Sequence, residues 1–196
     1  MTFKLFGTKI TVSFIFAAII VLVIATDRST YALPVIIAAA IHEAAHLFAM
    51  WAADEAPSEV NLIAGSVRIV KKPTAKSAHE IIILLCGPLA NLLLFFVFYA
   101  DYVFHTKDST LVFAAVNLIT GLYNLLPAKG LDGGSILYCI FEKKSVQKAK
   151  QALNISSVLT CAVLIIASVL LTATGNVNRG FIVAAIYILI CVIIKL

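Results

Sequence analysis

Long uncharged hydrophobic runs follow one another along the chain, separated by short segments that carry charge. The first run lies between Lys9 and Asp27, and the second begins near Tyr31 and continues to about Ala53. An α-helix needs roughly 17 to 25 such residues to cross the hydrocarbon layer of a membrane. Because a soluble domain would interleave polar faces with its apolar ones, the pattern predicts several membrane-spanning helices.

Four further runs complete the pattern, over residues 81–100, 109–126, 153–174 and 181–194. Between the second and third runs, β-branched residues surround Ala64-Gly65-Ser66, which is typical of a short hairpin within residues 60–70. We therefore predict an all-α polytopic membrane protein with about six transmembrane helices and a short membrane-associated β-hairpin between the second and the third. Gly87-Pro88 predicts a bend in the third helix, and a further short helix is predicted over residues 135–142.

Composition agrees with a membrane protein, since 62% of the 196 residues are hydrophobic and only 13% are charged. The net charge of +5 comes from basic residues scattered in short loops, without a basic helix, so we expect no nucleic-acid partner. The cysteines lie within or beside apolar runs and form no Cys-x-x-Cys pair, which predicts small core hydrophobes; they are Cys86, Cys139, Cys161 and Cys191.

The distribution of lysine and arginine predicts the orientation in the membrane. If the N-terminus is cytoplasmic, the outer loops hold only Arg28, Lys107 and Arg179, and the other twelve of the fifteen basic residues lie on the inner side. Short cytoplasmic loops are enriched in these residues. We therefore predict a multi-pass membrane protein with both termini in the cytoplasm.

An ionisable cluster, His42-Glu43-Ala44-Ala45-His46, interrupts the second hydrophobic run. An ionisable side chain near the middle of a membrane helix costs about 2.5 to 3.5 kcal/mol on insertion scales, so the cluster requires a physical reason. Two histidines four residues apart project from one face of a helix and can bind a single zinc ion. Glu43 flanks that face and can reach a catalytic water without being a ligand. A contact between helices, or the lining of a proton or ion path, is the alternative interpretation.

A catalytic zinc usually has three protein ligands, which predicts one more ligand elsewhere in the chain. Asp132 is the inner-side carboxylate best placed after a membrane helix. Gly133 and Gly134 follow it, and glycines allow close approach of the backbone and positive φ angles. A surface Asp-Gly turn is the competing interpretation of these residues.

Three motifs together resemble the site-2 protease family of intramembrane zinc metalloproteases, peptidase family M50. They are His42-Glu43-Ala44-Ala45-His46, then Gly87-Pro88-Leu89-Ala90-Asn91, and finally Asn124-Leu125-Leu126-Pro127 with Leu131-Asp132-Gly133-Gly134. The resemblance covers roughly residues 35–140. It implies that His42, His46 and Asp132 hold one Zn²⁺ per chain, and that Glu43 is catalytic. It also nominates Asn124 to orient or polarise the substrate carbonyl, while a packing role in a membrane helix fits that asparagine equally well.

The resemblance further implies a zinc metalloendopeptidase whose partners are membrane-tethered protein substrates and membrane regulatory proteins, with cleavage nearer the cytoplasmic face. The chain most resembles the small bacterial branch that includes the stage IV sporulation protein FB, which implies a location in the bacterial cell membrane and processing of a sigma-factor precursor. Residues 1–196 are expected to form a single catalytic domain with its core over 31–142 and without a PDZ or CBS domain. The alternative function is a metal or proton transporter, although the chain lacks duplicated broken-helix segments. Neither the substrate nor the oligomeric state follows from the sequence.

Overall fold

The computed structural model describes residues 2–5, 8–27, 31–63, 66–70, 77–173 and 186. The strands are β1 (Thr2–Leu5), β2 (Thr8–Val12), β3 (Glu59–Ile63) and β4 (Ser66–Val70). The helices are α1 (Phe14–Thr26), α2 (Ala32–Ala52), α3 (Ser77–His105), α4 (Asp108–Asn124), α5 (Asp132–Glu142) and α6 (Val146–Ala173). The protein is therefore mostly helical, and it also contains a sheet that is larger than the predicted hairpin.

The sheet has four strands in the order β1-β2-β3-β4. Strand β2 pairs antiparallel with β1 and parallel with β3, and β3 pairs antiparallel with β4 where the hairpin was predicted. Lys9 and Glu59 face each other in the β2–β3 register, and their Nζ and Oε1 atoms are 3.1 Å apart. The Lys9 ammonium holds the pKa of the exposed Glu59 carboxyl below its usual range. The association of this sheet with a membrane remains a prediction.

Three helices in the described part of the chain are long and apolar enough to cross a membrane, which supports a membrane location. They lie over Ala32–Ala52, His79–His105 and Val146–Leu170. The first predicted span is shorter than expected because its beginning forms β2, which leaves 13 residues, about 20 Å, for α1. The fourth is α4, with 17 residues. The sixth lies outside the described residues except for Ile186. Six spans therefore remain a prediction.

The chain divides into two compact units, Met1–Gly121 and Leu122–Leu196. In the first unit, α2 packs along α3, and the buried residues there include Ala38 and Ile83. In the second unit, Ala128, Leu131, Cys161 and Leu164 form a hydrophobic cluster between the start of α5 and the middle of α6. Cys139 and Cys161 are buried and Cys86 is half-buried, as expected of small core hydrophobes, and Cys191 lies outside the described residues.

Candidate metal centre

His42 and His46 lie on one face of α2, as their spacing predicts. Both side chains are buried, with exposed fractions of 4% and 5%. Their Nε2 atoms are 3.1 Å apart, and the two rings are nearly perpendicular at 84°. Glu43 follows His42 on the same helix and is half-buried. The two imidazoles therefore converge on one point, next to the single carboxylate that α2 contains.

The hydrogen-bond partners of the two rings determine which nitrogen carries the proton. His46 Nδ1 lies 2.8 Å from the carbonyl oxygen of Ile83, which can only accept, so Nδ1–H of His46 donates. His42 Nδ1 lies 2.7 Å from Asn91 Oδ1 and donates to it in the same way. Both Nε2 atoms are then lone-pair acceptors. Partners of this kind orient histidine ligands in metal sites and raise their basicity.

The convergence of the Nε2 atoms fits a zinc ion. Two lone pairs facing each other repel, and a cation between them removes that repulsion. Zinc–nitrogen bonds of about 2.0 to 2.1 Å with tetrahedral angles place two ligand nitrogens about 3.3 Å apart, which is close to the observed separation. The histidines on α2 are therefore arranged as two ligands of a tetrahedral metal ion.

Helix α3 approaches the two histidines at Gly87. A Cβ at this position would lie 2.6 Å from Cε1 of His46 and 2.8 Å from Cε1 of His42, which is too close for a side chain. Pro88, inside α3, cannot donate a backbone hydrogen bond to the carbonyl of Leu84, and the neighbouring carbonyl of Ile83 accepts from His46. Gly87 therefore has a role beside the histidines, whereas the sequence indicated only a bend at Gly87-Pro88.

In the second unit, Asp132 occupies the first turn of α5, which begins three residues before the predicted start at Ser135. A carboxylate is favoured at the N-terminus of a helix, where backbone N–H groups carry partial positive charge. The preceding residue, Leu131, is buried and extended, and its carbonyl accepts hydrogen bonds from both the backbone N and the Oγ of Ser135. Asp132 is therefore fixed at the start of a helix that is itself anchored in the core.

The two glycines after Asp132 are required for close packing. A Cβ on Gly133 would lie 2.6 Å from the carbonyl oxygen of Leu126, and one on Gly134 would overlap the backbone carbonyl group of Ala128. The sequence also predicted positive φ angles at these glycines, but in the described part of the chain it is Gly130 that has a positive φ, of 86°. The reason is that both later glycines already belong to helix α5.

Asn124 is the last residue of α4 and is half-buried, and its role in binding substrate remains a prediction. Two contributors to the centre were not assigned from the sequence. Asn91 was noted only as part of a motif, and Asn117, which hydrogen-bonds to it, was not noted. A polar residue in the middle of a hydrophobic run was the available signal for both.

Comparison with known proteins finds a family match over part of the chain and a likeness of fold. Residues 104–167, which include Asn124 and Asp132, match the sequence model of Peptidase family M50. No curated protein sequence matches the chain. Among solved structures, the Site-2 Protease from Methanocaldococcus jannaschii is similar, with a TM-score of 0.65 and 19% identity over 98% of this chain and 92% of that one. At this identity the likeness shows the fold. The family match and the shared fold together support an intramembrane metalloprotease.

Proposed function

We propose that the protein is a zinc metalloendopeptidase that hydrolyses peptide bonds of membrane-associated or transmembrane substrates. The observation that carries this proposal is the pair of buried imidazoles on α2, whose Nε2 atoms converge at 3.1 Å while both Nδ1 atoms are engaged by acceptors. They belong to a helix long and apolar enough to cross a membrane. The metal ligands would thus lie within the membrane, where unpaired ionisable side chains are costly in free energy.

Asp132 is proposed as the third ligand. A carboxylate suits zinc, and its negative charge offsets part of the charge of a buried dication. Asp132 lies in the first turn of α5, and the preceding Leu131 is buried, so the backbone that carries the carboxylate is held in place. When bound, the zinc ion would polarise the scissile carbonyl and lower the pKa of a water to about 7.

Glu43 is proposed as the general base and acid. It accepts a proton from the attacking water and passes that proton to the leaving amine nitrogen. A glutamate one residue after His42 lies beside the ligand face of α2 without belonging to it. The side-chain amide of Asn124 donates a hydrogen bond to the oxygen that becomes negative during attack. Glu43 thus moves the proton, and Asn124 stabilises the negative oxygen.

The substrate must be extended before it can be cut, because helical backbone hydrogen bonds shield the peptide group. Strand β4 ends the described sheet order, with β3 on one side. An extended substrate segment can add to the other side of β4 through main-chain hydrogen bonds. We propose that the substrate binds along this outer edge of β4.

We further propose that the protein lies in a bacterial membrane with both termini in the cytoplasm. Its proposed substrate is a sigma-factor precursor, and its proposed regulatory partners are membrane proteins. A metal or proton transporter is not favoured, because the Peptidase family M50 match and the site-2 protease fold both support proteolysis.

The test is cleavage of a membrane-tethered candidate substrate by purified protein in detergent, comparing wild type with Glu43→Gln and measuring zinc in both. Wild type is expected to cut, while the variant keeps its zinc and loses cleavage by roughly 10² to 10⁴-fold, the usual share of a general base. Equal cleavage by both proteins would remove Glu43 from the mechanism, and absence of zinc from wild type would return transport to consideration.

A further inference from the structure

Two buried asparagines, Asn91 on α3 and Asn117 on α4, contact each other beside the histidine pair. Their exposed fractions are 0% and 1%. Asn91 Nδ2 donates to Asn117 Oδ1 at 2.9 Å and to the carbonyl oxygen of Ala38 at 3.1 Å. Asn117 Nδ2 donates to the carbonyl oxygen of Phe113, one turn earlier on α4, at 2.9 Å. Each amide therefore has defined partners on both its oxygen and its nitrogen side.

These partners set the direction of both amides. Because Asn117 Nδ2 is held by the Phe113 carbonyl, Asn117 directs its oxygen toward Asn91. On that side Asn91 meets two acceptors, Asn117 Oδ1 and the Ala38 carbonyl, so it must direct Nδ2 there. A rotated Asn91 amide would place oxygen against oxygen. The remaining atom, Asn91 Oδ1, consequently faces His42.

The direction of the Asn91 amide decides whether His42 can bind a metal through Nε2. With Oδ1 toward the ring, His42 carries its proton on Nδ1 and has a lone pair on Nε2. With Nδ2 toward the ring, His42 would have to accept at Nδ1, and its proton would move to Nε2. That tautomer has no lone pair where it faces His46.

We propose that Asn117 is a positioning residue for zinc binding, which acts through Asn91 to hold His42 in the tautomer that presents the Nε2 lone pair. The inference rests on the proposed function only in naming zinc as the metal. Asn117 reaches His42 through one intervening side chain and is not itself a ligand. A purely structural role, as a polar contact between α3 and α4, would affect stability without affecting metal affinity.

The experiment compares Asn117→Leu with Asn117→Asp in purified full-length protein. Leucine keeps the approximate size and removes the acceptor for Asn91. Aspartate keeps an oxygen acceptor in either protonation state, and when protonated it also donates to the Phe113 carbonyl. Zinc affinity is measured by competition with a chelator, and the visible absorption of the cobalt-substituted protein reports the ligand geometry. Asn154→Leu is the matched control, because it makes the same change at an exposed position of α6.

We expect Asn117→Leu to bind zinc 10- to 100-fold more weakly than wild type, which is the loss of affinity found when hydrogen-bond partners of metal ligands are removed. The cobalt spectrum of this variant should also change. The zinc affinity of Asn117→Asp is expected to stay within about threefold of the wild-type affinity, because the acceptor for Asn91 is kept. If Asn117→Leu does not fold, the same measurements on Asn117→Ala decide. Wild-type affinity in the leucine or alanine variant, or equal losses in the aspartate and leucine variants, would overturn the proposal. Absence of peptide cleavage with these affinity differences intact would count against the peptidase function alone.

Discussion

Gly87 illustrates how one missing side chain makes room for a metal site. The α3 backbone at Gly87 lies so close to His42 and His46 that a Cβ would meet carbon atoms of both rings. The same helix supplies the Ile83 carbonyl that orients His46. Close approach and orientation therefore depend on each other, since moving α3 outward would also lengthen the Ile83 hydrogen bond.

Gly87→Ala is predicted to lower zinc affinity by roughly tenfold or more, in line with the effect of disturbing groups that support metal ligands. The added Cβ displaces at least one imidazole, because the helix backbone cannot give way as easily as a side chain. Zinc competition with a chelator measures the effect. Leu89→Ala serves as the control, because Leu89 is 54% exposed two residues further along α3. Unchanged zinc affinity in Gly87→Ala would contradict the close approach described for α3.

The residues that sequence alone could predict are those whose relation is local. His42, Glu43 and His46 share one turn of α2, so the helical repeat is sufficient to place both rings on one face. Asn91 and Asn117 are 26 residues apart and meet only through the packing of α3 against α4. No periodicity within a single element encodes that contact, so the sequence could not assign it.

At the scale of elements, α2 lies where the sequence predicted it and β3 pairs with β4 where the hairpin was predicted, whereas β1 and β2 were not predicted. Helix α2 begins and ends within one residue of the predicted run, because its apolar stretch is bounded by polar segments on both sides. The first run was predicted to be one helix, since residues 10–12 are uncharged like the helix that follows. They form β2 because they pair in parallel with β3, about 50 residues away, a partner that hydrophobicity does not reveal.

The edge of β4 gives a prediction about substrate binding. Proline is introduced singly at Val67, Arg68 and Ile69, and successive strand residues direct their N–H groups to opposite edges. A proline whose N–H position faces β3 breaks the sheet. One facing the other edge removes a donor for an added strand and should weaken cleavage by tenfold or more, since each hydrogen bond contributes about 1 kcal/mol and proline also blocks close approach.

Zinc content and peptide cleavage are measured for each proline variant, and alanine at the same position is its control. The expected result is at least one variant that keeps its zinc and thermal stability while losing cleavage. Full cleavage by all three proline variants would exclude β4 as the strand that receives the substrate.

At the scale of the molecule, the sheet constrains how the chain passes through a membrane. Strand β2 precedes α1, β3 follows α2, and the two strands are hydrogen-bonded neighbours, so both lie on one side of the membrane. Helix α2 is long enough to cross once. If α2 crosses, the chain between β2 and α2 has to return across the membrane, and we predict that α1 makes this passage.

This topology predicts the labelling of single cysteines in a cysteine-free background. Thr2→Cys lies at the start of β1, and Ser58→Cys lies just before β3. Because the sheet is predicted to be cytoplasmic, both cysteines should react only with a reagent that crosses the membrane of intact cells. Tyr31→Cys, at the start of α2, should also react with an impermeant reagent, because Tyr31 is 53% exposed and lies beyond α1. Labelling of Tyr31→Cys from the same side as Thr2→Cys would show that α1 does not cross.

A crossing by α1 has a consequence for the surrounding lipid. A helix of 13 residues is about 20 Å long, whereas the hydrocarbon layer is about 30 Å thick. A bilayer that thins beside α1 would match this length, at a cost of a fraction of a kcal/mol for each ångström of mismatch. Because α1 packs against α2, such a thinned region would adjoin the helix of His42 and His46. A transmembrane substrate that entered it would be too long for the local bilayer, and the mismatch would favour exposure of its end to water and unwinding next to the metal-binding helix.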